Sequence, residues 1–162
     1  MSLSSKTADH KPEPAVTVVE LSDPTAVGQT IEVIEQDAVQ LESKPLRLLR
    51  IVVRLGTSIV MFQSTNLPIR TRTRLQNGLV AFVAFGPRAA GTLNGLPVGP
   101  DRVLASIQGI EVEFVVAAVY ESVSFLLPPD DIRAHLRGRH DEDEFRLPQG
   151  VELLTPSPAA TH

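Results

Sequence analysis

Cysteine is absent from this sequence, which excludes a disulfide framework, a thiolate nucleophile and Cys-ligated zinc together. Tryptophan is absent too, and one Tyr and six Phe are the whole aromatic content. A stacking platform for single-stranded nucleic acid needs repeated exposed rings in a basic groove, and these are too few. The net charge of −4 is the wrong sign for a generic nucleic-acid binder, which carries a basic face. No apolar run approaches the ~20 residues that span a bilayer. The segment from Met1 to His10 has one lysine and no apolar stretch after it, unlike a signal peptide. These absences suit a soluble protein of a reducing cytoplasm.

The residues of common chemistries are also scarce or scattered. The four histidines are His10, His135, His140 and His162, and two of them fall in expected tails. His135 and His140 are five apart with no Glu after His135, which is not the metalloprotease pattern. The acidic run Asp141 to Glu144 reads as a solvated loop after a helix. Ser64, Ser106, Ser122 and Ser124 have no Gly-x-Ser-x-Gly elbow around them. The glycines at 86, 91, 95 and 99 sit among Pro and Asn as turn residues, not in a phosphate-cradling loop. No catalytic residue, metal ligand or cofactor site is assigned.

What is present is rhythm. A chain of 162 residues fits one domain, which buries roughly two-thirds of the surface its unfolded form exposes. Residues 1–14 are polar and read as a disordered leader, 15–154 as the domain, and 155–162 as a disordered tail or linker. Within the domain, runs of Val, Ile, Leu and Phe are broken by turn residues at short intervals. That pattern predicts a mainly antiparallel β fold, a jelly-roll-type barrel or sandwich with one or two short helices. Strands are expected over 15–21, 39–42, 46–55, 58–63, 69–75, 79–85, 102–107, 111–116 and 120–127. Short helices are expected over 25–35 and 132–137. Asn94 and Gly95 supply the positive φ angles of a type I′ hairpin.

The stretch from Ile69 to Leu75 alternates strictly, so Arg70, Arg72 and Arg74 project to one side and Thr71 and Thr73 to the other. Three guanidinium groups about 7 Å apart repel unless acids, an anion or solvent face them. They form either a solvent-facing edge guarded by charge, an interface, or the wall of an anion pocket. Glu111 and Glu113 likewise share one face. These five residues are the candidate ligand-binding set.

The segment order from Val16 to Leu154 resembles the N-terminal sensory domain of AraC/XylS-type transcriptional regulators, within them the ethanolamine-operon-regulator-like subgroup. The resemblance is carried by Glu35 to Leu41, by the strand pair Leu46 to Gly56 and Ser58 to Gln63, and by Thr65 to Arg70. Gly78 to Phe82, the hairpin residues Thr92 to Gly95, and Tyr120 to Pro129 continue it. Leu93 stands where members often carry Trp. The resemblance implies a cupin-like barrel with an effector site inside and a dimer surface outside. The cupin metal signature, with its His-x-His, is missing, which removes the usual route to cupin oxygenase or isomerase chemistry.

The expectation is therefore a ligand-sensing and dimerisation domain, a homodimer or a heterodimer with a regulator, taking a small-molecule effector. The linker to the helix-turn-helix pair of such regulators would begin near Thr155 to Pro158, so direct DNA contact by this chain is not expected. Two alternatives stand beside it. One is a small cupin-type enzyme with Glu111, Glu113 and Arg72 converging inside the barrel. The other is a stand-alone module that pairs with a full-length regulator.

Overall fold

The computed structural model describes residues 15–137 and 147–155. The expected leader, the acidic run with His140, and the tail beyond residue 155 lie outside them. The chain opens with β1 (Val16–Leu21), followed by a 3-10 segment (Pro24–Gln29), β2 (Ile34–Gln40), β3 (Leu48–Leu55) and β4 (Ser58–Thr65). Next come β5 (Ile69–Leu75), β6 (Val80–Phe85), β7 (Gly91–Leu93), β8 (Leu96–Val98) and β9 (Val103–Ile107). β10 (Glu111–Val116), β11 (Tyr120–Leu127), α1 (Pro129–Arg137) and β12 (Val151–Leu154) complete it.

The strands form a seven-stranded sheet in the order β1-β3-β4-β11-β6-β9-β12 and a five-stranded sheet in the order β2-β5-β10-β7-β8. From β4 to β11 the chain passes back and forth between them, as in a jelly roll. The sheets do not close into a barrel, so the sandwich form of the expected fold is the one adopted. Their inward rows make the core, where Leu48, Ile69, Leu93 and Leu126 are fully buried. Each such side chain contributes about 1.5–3 kcal/mol relative to exposure.

Local chemistry explains the turns. Asn94 and Gly95 take φ of 48° and 82°, and β7 pairs with β8 across them, as the Asn-Gly dipeptide dictates. Asn94 also accepts a hydrogen bond from the Glu113 amide at 2.8 Å through Oδ1, tying the hairpin to β10. Asp23 caps the 3-10 segment by accepting from the Thr25 amide at 2.9 Å, with Pro24 in the first position. That hydrogen bond holds the Asp23 carboxyl below its ordinary range.

Three expectations need correction. The helix read over 25–35 is only the 3-10 segment over Pro24–Gln29, because β-branched residues and Gly28 disfavour a longer helix. Gly28 has a second reason to be there: a Cβ would collide with the Gln36 carbonyl oxygen. The strand read over 39–42 is the end of β2, which begins at Ile34. Finally, α1 starts at Pro129, with Asp130 and Asp131 in its first turn. Asp131 accepts a hydrogen bond from the Thr57 hydroxyl at 2.8 Å, which pins α1 to the β3–β4 turn. Among the described residues no helix is long and apolar enough to cross a membrane.

Candidate functional site

The arginine ladder is exposed, as alternation requires, but β5 is not an edge strand: it lies between β2 and β10. Both neighbours bring acids into register with it. Arg72 faces Asp37 on one side and Glu113 on the other, and Arg74 faces Glu35 and Glu111. The Arg72–Glu113 and Arg74–Glu111 contacts are 3.3 Å and 3.7 Å. Arg70 sits between Val39 and Val115. All five candidate residues thus share the outward face of the five-stranded sheet. Glu111, Glu113 and Arg72 do not converge between the sheets, contrary to what the enzyme alternative expects, because their phase on β5 and β10 is opposite to that of the core residues.

A concave site lies between the sheets. It is a small cavity of about 80 Å³ that opens to solvent. The inward phase of each strand sets its walls, apolar toward the ends and polar in the middle. β5 contributes Ile69, Thr71, Thr73 and Leu75, while β11 contributes Tyr120, Ser122, Ser124 and Leu126. Gln36 from β2, Gln63 from β4 and Ser106 from β9 complete a belt of hydroxyls and amides. No Asp, Glu, His, Lys or Arg among the described residues lines the cavity. Burial pushes the Tyr120 phenol up to about 12, against the opposing effect of the Ser122 hydrogen bond, so it stays neutral. Its ring meets Phe85 edge-on at 6.2 Å.

Behind the belt sits a buried charge. Arg50 on β3 is fully buried, in the same cross-strand row as Gln63 and Ser122. One terminal nitrogen donates to the Val27 carbonyl at 3.3 Å and to Thr30 Oγ1 at 2.5 Å. The other donates to Gln36 Oε1 at 2.7 Å and to Gln63 Oε1. Arg50 therefore joins the 3-10 segment to both sheets. Desolvation lowers its pKa to about 10, which leaves it charged at neutral pH. Its Nε is the one fully buried side-chain polar atom without a partner among the described residues. The hydroxyls of Thr71 and Ser124 also have no protein partner, so they open onto the cavity itself.

Considering Ser106, Ser122 and Ser124 only as nucleophiles misses their place in this belt. The signal was their phase: Ser122 and Ser124 alternate in step with Tyr120 and Leu126. Arg50 carries the same signal, lying between Leu48 and Val52 on the inward face of an apolar strand.

No protein-family model matches the sequence, and no curated protein does. The architecture is an antiparallel β-sandwich enclosing a neutral, polar-belted cavity. The solved structure of the AraC-like transcriptional activator CuxR has a similar fold, with a TM-score of 0.54 at 11% identity. The likeness covers 75% of this chain and 50% of the activator chain. It establishes a shared fold with an AraC-related regulator over about half of that protein's length.

Proposed function

We propose that this chain is the ligand-sensing and pairing domain of an AraC-type transcriptional regulator, acting by binding and not by catalysis. The cavity between the sheets carries the proposal. Its hydroxyls and amides can orient a small molecule, and its apolar ends can cover the rest of it. A lining without acids, histidines or lysines favours holding a ligand over transforming it.

Pairing is supported by the outward face of the seven-stranded sheet. Val18, Ile51, Phe62 and Val123 form one cross-strand row, and Val16, Val53, Val60, Phe125 and Phe82 form the next. A contiguous apolar face of this kind marks an interaction surface. A second copy of the chain fits it, since a flat apolar surface is complementary to itself across a two-fold axis. DNA contact is assigned to residues outside this domain, because Arg72 and Arg74 of the charged face already have acids beside them. Among the described residues of that ladder, this leaves Arg70 alone as a cation between two valines.

An effector should raise the thermal midpoint by roughly 5–10 °C at a hundredfold excess over its dissociation constant. Ser124→Leu, which fills the cavity, should abolish that rise. A metabolite panel read by thermal shift, with sedimentation equilibrium for the dimer, tests both halves. A protein that stays monomeric at high concentration and gains stability from no compound would overturn the proposal.

A further inference from the structure

Arg50 is a charge sealed inside the sandwich with only neutral oxygens around it. Its four acceptors are a backbone carbonyl, a hydroxyl and two amide oxygens. Among the described residues no carboxylate lies within ion-pair distance of it. Burying an ion without a counter-charge is costly, and neutral dipoles recover only part of the loss. The cost is sustained at one place, directly behind the wall of the cavity.

The two glutamines carry that charge to the wall. Each turns its amide oxygen onto Arg50, so each must turn its NH2 away. Gln36 Nε2 donates to Thr73 Oγ1 at 2.9 Å. Gln63 Nε2 has no partner among the described residues, and Gln63 lines the cavity. Beside it in the register is Ser122, and one step further along β11 is Ser124, whose hydroxyl is free. The cavity is thus met by the Gln63 NH2, which a cation polarises from behind, with the Ser124 hydroxyl on the same wall and apolar side chains such as Met61, Val112 and Leu126 around them. A polarised donor is a stronger donor, and it favours a charged acceptor.

We propose that the cavity takes a small monocarboxylate with an apolar body, its head group on Gln63 Nε2 and the Ser124 hydroxyl, and its charge balanced by Arg50 through the glutamine amides. This rests on the ligand-sensing role and specifies its ligand class. A dianion such as a phosphate monoester would bring a second charge with no partner. A neutral ligand would leave Arg50 as uncompensated as before. The same contacts supply a route for the response, because the Arg50 guanidinium also holds the Val27 carbonyl and the Thr30 hydroxyl of the 3-10 segment.

The test uses the full chain with hexanoate and cyclohexanecarboxylate against hexanamide and cyclohexanecarboxamide, by calorimetry and thermal shift. The acids should bind at least about tenfold more tightly than their amides. Gln63→Glu places a carboxylate of the same shape against Arg50. It should raise the midpoint of the unliganded protein and weaken the acids by at least about tenfold. Gln36→Glu is the second variant, expected to act in the same direction, and the acid–amide comparison needs no variant at all. Amides that bind as well as acids, acids that do not bind, or acid binding untouched by both glutamine variants each overturn the inference. Neutral binding that Ser124→Leu abolishes would sink the carboxylate while leaving the sensing role in place. Loss of all cavity binding would remove both.

Discussion

The two outward faces of the sandwich are built by the same alternation and have opposite chemistry. On the five-stranded sheet, β5 projects Arg70, Arg72 and Arg74, and its neighbours answer with Glu35, Asp37, Glu111 and Glu113. On the seven-stranded sheet the equivalent rows are Val, Ile and Phe, with Val18 64% exposed and Phe125 39% exposed. The first face is solvated, and its ion pairs are the exposed kind that contribute about 0–1 kcal/mol each. The second holds three of the six phenylalanines, Phe62, Phe82 and Phe125, where water gains nothing from their exposure. The difference is why the proposed pairing surface is the second face and not the first.

The largest effect should come from charging the apolar face. Phe62→Glu should weaken self-association at least about 100-fold, or roughly 3 kcal/mol, with little change in the unfolding midpoint. Sedimentation equilibrium measures the first and thermal denaturation the second. An unchanged dimer would mean that this face is not the pairing surface.

An arginine that belongs to neither face sharpens the contrast. Arg50→Met removes a desolvated charge but leaves the Gln36 and Gln63 amide oxygens without their donor, while the Val27 carbonyl keeps the Thr30 amide and hydroxyl. A net loss of about 2–3 kcal/mol in urea unfolding is expected. Arg72→Leu, on the charged face, should cost less than about 1 kcal/mol in the same experiment. Equal losses would remove the distinction between the buried and the solvated arginine.

The smallest effect is the acid limb of stability. Arg54 grips Glu32 with two hydrogen bonds, at 2.7 and 2.8 Å, and holds its carboxyl below the ordinary 4.5. A depressed folded pKa adds stability above the unfolded value, and that stability is lost as pH falls through the folded one. Wild type should therefore be slightly more stable than Glu32→Gln at neutral pH. The gap should close as the pH drops below about 4.5 toward the lowered value. A gap that persists at low pH would show that packing, not charge, is responsible.

Much of the fold was legible because it is written locally. The hairpin at Asn94 and Gly95 and the limits of β10 and β11 follow from turn chemistry and period. The place of β5 was not legible, since its partners β2 and β10 come from distant parts of the chain and alternation says nothing about neighbours. The site was half legible. Thr71 and Thr73 point inward as the ladder's phase demands, yet Ser122, Ser124, Gln63 and Arg50 are polar residues in core phase. Composition places such residues outside, and only the opposite sheet shows that they surround a space.

The passage of the chain between sheets also has a kinetic consequence. Among the described residues only the β3–β4 and β7–β8 pairs join strands that follow one another. Every other pairing, such as β11 with β4 or β12 with β9, waits for a long loop to close. Loop closure costs entropy before it returns any contact, so this chain should fold on the millisecond-to-second scale of non-local β proteins. While it does so, the apolar outward rows are open to other copies, and partner encounter and misassembly compete for the same surface.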